Sequence, residues 1–383
     1  MNVITKVLRL DKDERRKSLV FFMYYFCLIG TLIAGKTARD VYFLSRSDPA
    51  FLPHIFIVSA LAVALFSFLY IYSTRKMAII RVTFLSIFLF IASILVFYFF
   101  HWDWKYPALY VWMDIMGAII IPQFWLLTHQ QFTIQEAKKL FGPISAAAAA
   151  ANIIMGALIQ FRVITAEMLL PVSILLLSTA IPFIQKIYKQ GIIGNSSKVE
   201  IRQSSFNRGK LSKSILSHSY ILLLGGLVVI STIVITLIDY QFKIIAGSTL
   251  SESGLTALFG LVYVVVGIFT AVLQFFITGK ILKQLGVLAG LLLLPLCLGV
   301  SIFLLMLSPV IIYALAARLS DMIFRFSMYD TATQILWLPV ADKVKRFFKP
   351  IIDGTLKNSM QGITGLLIIA ILYWGSVDHI HYL

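Results

Sequence analysis

Apolar runs long enough to cross a bilayer recur along nearly the whole sequence, and they constrain it more than any motif does. A helix needs about 20 apolar residues to span the hydrocarbon. The runs fall at roughly 19–44, 52–73, 78–99, 107–128, 142–161 and 166–186, and again at 218–238, 255–277, 284–305, 308–326 and 351–376. The expected fold class is therefore an all-α integral membrane protein of about 11 transmembrane helices. Only 13% of residues are charged, which excludes a soluble single-core domain of this length. The stretch 327–340 is apolar but holds Asp330 and Pro339, so it reads as a continuation or broken half of the tenth helix.

Between the sixth and seventh runs lies the longest polar segment, rich in Ser, Gly, Asn, Lys and Arg. It divides the chain into an expected six-helix bundle (1–186), a basic linker (187–217) and a five-helix bundle (218–383) without a twelfth helix. Two similar halves are a recurring transporter plan, although no residue-level repeat relates these two.

The net charge of +16 suggests nucleic acid until its distribution is examined. Most Lys and Arg fall in segments that share one side if the amino terminus is cytoplasmic. Examples are Arg75, Lys76 and Arg81, then Lys138 and Lys139, the linker cations, Lys280 and Lys283, and Lys343 to Lys349. Arg46, Lys105, Arg162 and Lys243 fall on the other side. This is the positive-inside pattern, and it needs no nucleic acid. The expected location is a bacterial inner membrane, multi-pass, with the amino terminus inside and membrane lipids as partners of the basic linker. The run from Leu19 reads as a first span rather than a cleaved leader, and Cys27 and Cys297, each within an apolar run, read as packing residues.

Charges inside spans are costly unless paired or facing a polar cavity, so they are the candidate site. Lys36 and Asp40 stand at i and i+4 and are expected to pair, leaving Arg39 for an anion or another helix. The competing reading is interfacial snorkelling at the end of helix one. Arg318, Asp321 and Arg325 are spaced i, i+3 and i+7, an alternating ladder on one face with a net positive charge, followed by Asp330. Asp114 in helix four is a lone acid, a proton site or a partner for one of these clusters. Asp239 and Lys243 fall at the expected outer end of helix seven, as gate or anchor. Asn152, Gln160 and Gln274 are weaker polar candidates, and the alanine run 145–151 reads as a helix-packing seam. His54, His129 and His218 have no metal-ligand spacing. With no phosphate-binding loop, metal set or nucleophile elbow in the sequence, neither an enzyme nor a cofactor is expected.

Gly35-Lys36-Thr37-Ala38-Arg39-Asp40, Asp239-Tyr240-Gln241-Phe242-Lys243 and Arg325 to Gln334 with Leu338-Pro339 resemble strings of the ATP/ADP translocase-like nucleotide transporters of plastids and intracellular bacteria. The family's helices are arranged like those of the major facilitator superfamily. The resemblance implies a major-facilitator-like bundle and places a small anionic substrate, with nucleotides among the candidates, on the helix-one and helix-ten charges. The chain departs from the pattern at Thr333-Gln334, where the family has Lys-Glu, and at Gly354 to Asn358 near helix eleven. The leading expectation is a secondary transporter of an anionic or phosphorylated metabolite. The alternative is a non-transporting membrane scaffold or sensor acting with a soluble regulatory domain or protein; a membrane-embedded lipid enzyme ranks third.

Overall fold

The computed structural model describes residues 12–132, 134–189, 219–337, 340, 344, 348, 349 and 351–374. Its long helices, in order, are α1 (Lys12–Arg46), α2 (Leu52–Lys76), α3 (Ile79–Phe99), α4 (Lys105–Gln131), α5 (Ile134–Gln160), α6 (Leu169–Lys189), α7 (Ser219–Thr249), α8 (Glu252–Val272), α9 (Gly286–Leu307), α10 (Ile311–Phe324) and α11 (Lys357–Trp374). Ten candidate spans among the described residues are long and apolar enough to cross a membrane. The remaining helix, α10, is only 14 residues long. It continues through a π turn at Arg325–Tyr329 into Asp330–Leu336, as the sequence suggested for 327–336. The expected Leu338-Pro339 element and the linker from residue 190 to 218 lie outside the described residues.

The helices fall into two compact units, each described by itself. The first holds α1, α3, α4, α5, α6, α8 and the part of α2 from Leu65 onward. At its centre α1 packs against α4, α5 and α6. Aromatic rings fill one end of this core. Tyr25 stacks on Phe124 at 4.3 Å, and Phe21 meets Phe132 edge-on at 4.9 Å. Although α8 follows the linker in sequence, it joins this unit along a seam of small residues on α5. A Cβ added at Gly260 would stand 2.5 Å from the Gln160 backbone nitrogen, one at Gly156 2.7 Å from that of Val264, and one at Gly267 2.9 Å from the Asn152 Cβ. Residue numbers fall along α5 as they rise along α8, so the pair is antiparallel. Lipid offers no hydrophobic drive for helices to associate, and backbones that approach this closely gain the dispersion contacts that replace it.

The second unit holds α7, α9, α10, α11 and the segment 49–64. Ile238, Leu294, Leu298, Ala317 and Tyr329 form one buried cluster; Ile221, Leu224, Trp337 and Ile352 form another. Its π turns distinguish it: Leu273–Thr278 after α8, Arg325–Tyr329 in α10 and Ile351–Leu356 before α11. A π turn widens the helix by one residue and leaves the local bonding irregular. Thr278 repairs one such irregularity, donating to the carbonyl of Leu273 at 3.0 Å and to that of Ser327 at 3.1 Å, which ties two of the turns together.

Two sequence expectations need correction. The seventh span was expected to stop near residue 238, yet α7 runs to Thr249. Asp239 and Lys243 therefore lie inside the helix, and Lys243 is only 1% exposed, so it is not an outer-surface anchor. The first helix is 35 residues long, and Arg39 (8% exposed) and Asp40 (6%) are buried in its unit, which removes the snorkelling alternative.

Candidate functional site

In the first unit the site is built on facing turns of α1 and α4. Arg39 is its centre. Its Nε donates to Asp40 Oδ1 at 3.1 Å, and its Nη1 donates to Asp114 Oδ1 on α4. The guanidinium carbon lies 4.2 Å from the centroid of the Tyr110 ring, one helical turn before Asp114. A planar cation in a low-dielectric interior is held well by two carboxylates at its edge and a ring at its face. Asp114 is thus not a lone acid; it is the partner of Arg39 across 75 residues of sequence. Its Oδ2 is buried and has no hydrogen-bond partner among the described residues. Lys36 lies over Gly117, where a Cβ would come to 3.4 Å from its Nζ. Tyr110, Asp114 and Gly117 follow i, i+4, i+7 spacing and so share one face of α4. That spacing was legible beforehand, but nothing local marked Tyr110 or Gly117 as parts of a site.

In the second unit the charges form a continuous ladder across α7 and α10. Lys243 Nζ donates to Asp239 Oδ2 at 2.8 Å, and Arg318 Nη2 stands 2.8 Å from Asp239 Oδ1. The same arginine reaches Asp321 Oδ2 at 3.5 Å, and Arg325 Nη2 donates to that oxygen at 3.1 Å. The intrahelical ladder expected from spacing is present. The addition from α7 is what extends it to Lys243, Asp239, Arg318, Asp321 and Arg325, three cations on two carboxylates. Asp321 is fully buried, and its Oδ1 has no hydrogen-bond partner among the described residues; the same holds for Arg325 Nε. Asp330 follows the π turn, and its N–H donates to the Arg325 carbonyl. It is exposed, within electrostatic reach of Arg325 and Lys357.

The weaker candidates are not gathered in. Asn152 packs at the α5–α8 seam beside Gly267, and Gln160 lies on the same seam with its Oε1 buried. Gln274 is an exposed residue of the π turn after α8.

No protein-family model and no curated protein matches this chain. Solved structures do. The chain is similar to a POT family transporter in complex with a thioalcohol-conjugated peptide (TM-score 0.64, 12% identity, 96% of this chain and 93% of that one). It is similar to a variant of the nucleoside transporter NupG (TM-score 0.60, 11% identity, 93% and 90%). It is also similar to the xylose transporter XylE from E. coli in an inward-open conformation (TM-score 0.59, 12% identity, 96% and 93%). At this identity the likeness shows the fold: an all-α, multi-pass bundle of the major-facilitator type.

Proposed function

We propose that the chain is a secondary transporter that moves a small anionic solute by alternating access, with phosphorylated metabolites and nucleotides as its substrate class. The observation that carries this reading is the α7–α10 ladder, three cations on two carboxylates at bundle depth. Buried charge persists in a membrane helix where it serves a pathway. An incoming phosphate or carboxylate takes the place of a carboxylate partner on Arg318 or Arg325. The guanidinium groups are already desolvated, so the solute does not have to strip them of water. In the first unit, Asp40 and Asp114 keep Arg39 in place, and Lys36 beside it is that unit's own candidate for an anion. The fold likeness supports the class of mechanism, since the solved relatives are named as transporters.

The two bundles of this reading are 1–186 and 218–383, the amino terminus lies inside, and the membrane is a bacterial inner membrane. The test is uptake into proteoliposomes of labelled nucleotides and organic phosphates, with nucleosides, sugars and peptides as the contrast. Saturable uptake or exchange of phosphorylated solutes is expected. Preference for an uncharged solute would overturn the substrate class. Binding without flux would favour the scaffold or sensor.

A further inference from the structure

Arg46, the last residue of α1, makes a two-pronged pair with Glu252, the first residue of α8. Its Nε donates to Oε2 at 3.0 Å and its Nη2 to Oε1 at 2.7 Å. Ser45 Oγ donates to the same Oε2 at 3.1 Å. The other arm of the guanidinium, Nη1, donates to Tyr106 OH on α4 at 3.1 Å, and its carbon lies 4.5 Å from the Tyr42 ring centroid and 5.5 Å from that of Tyr106. One side chain thus joins the ends of three helices that are distant in sequence. Both partners also suit their helix ends, a cation at a C-terminus and an acid at an N-terminus.

We infer that Arg46 and Glu252 form a latch that closes the extracytoplasmic end of the transport path. The inference rests on the transporter reading, which assigns α1 to the bundle 1–186 and α8 to the bundle 218–383 and has them part when the outer side opens; here both pack within one compact unit, as a closed outer end requires. With the amino terminus inside, the end of α1 and the start of α8 both face outward. The glycine seam carries the same closure inward from the latch, since Gly260 and then Gly267 hold α8 against α5. The pair has a property a latch requires. Arg46 is 37% exposed and Glu252 29%, so water competes for both groups and the bond can break on the time scale of transport. The α1–α4 charges, by contrast, are buried and suit a permanent support.

The test uses a full-length background carrying Cys27→Ala and Cys297→Ala, with one reporter, Ala118→Cys, a turn beyond Asp114. Intact cells are treated with a membrane-impermeant maleimide, and the labelling rate reads how often the outer end is open. Arg46→Gln and Glu252→Gln are each expected to raise the rate about five-fold, the scale of one partly hydrated pair. The charge exchange Arg46→Glu with Glu252→Arg is expected to return it to within about two-fold of the parent. Thermal unfolding in detergent confirms that each variant is folded. Two results would overturn the latch: folded Gln variants that label at the parental rate, or an exchange variant that labels as fast as the single variants. The same labelling pattern in a chain that takes up no solute would keep the latch and remove the transport reading.

Discussion

The α1–α4 cluster and the α7–α10 ladder bury ionic groups by opposite arithmetic. In the first, one guanidinium is shared by two carboxylates and a tyrosine ring. In the second, two carboxylates are shared by three cations, and one of those acids is fully buried. The first is saturated around its cation, which makes it a rigid brace with Lys36 beside it. In the second, the Nε of Arg325 is buried without a hydrogen-bond partner among the described residues, which makes it the group open to an added anion. The difference teaches that counting charged residues in a span is a poor guide; the stoichiometry of pairing decides whether a cluster supports or receives.

The largest effect should come from Asp321→Asn. It leaves Arg318 and Arg325 facing each other without their common acid, and a loss of about 3–5 kcal/mol of stability is expected, read by thermal unfolding in detergent. A small effect would mean that the ladder is not the electrostatic centre of its unit. Asp114→Asn should cost less, about 1–3 kcal/mol, because Arg39 keeps Asp40 and Tyr110. A loss as large as that of Asp321→Asn would erase the asymmetry between the clusters. Tyr110→Leu removes the ring face and should cost about 1 kcal/mol more than Tyr110→Phe, which keeps it. Equal losses in the two variants would assign the residue to packing or to its hydroxyl. The smallest stability effect, within about 0.5 kcal/mol, belongs to Lys36→Gln, and the same variant should weaken binding of a phosphorylated solute in a thermal-shift titration. Unaltered ligand binding would place Lys36 with the brace.

Much of the ladder was legible in the chain, because i, i+3 and i+4 spacing on one helix is a local property and Arg318, Asp321 and Arg325 obey it. Asp239 and Lys243 were found as residues but placed at a helix end. Hydropathy loses the span where charges begin, and only burial against the bundle lets α7 continue to Thr249. The sequence offered Asp114 as a partner for one of the clusters but could not choose this among three readings, since an ion pair across 75 residues depends on which helix faces which. The same limit hid Glu252, which pairs with Arg46 across 206 residues. The pair expected from spacing, Lys36 with Asp40, gave no hint that Arg39 would take both Asp40 and Asp114.

By itself the sequence determined that this chain is a bundle of membrane helices and where most of them begin and end, because the bilayer sets a length and a polarity that each helix must meet alone. Tertiary structure decided how the charges pair, that α8 seats on α5, and that α10 keeps its course through a π turn. These depend on the rotation and neighbours of whole helices, which lipid leaves undetermined and which close packing and ion pairing fix only once the helices meet.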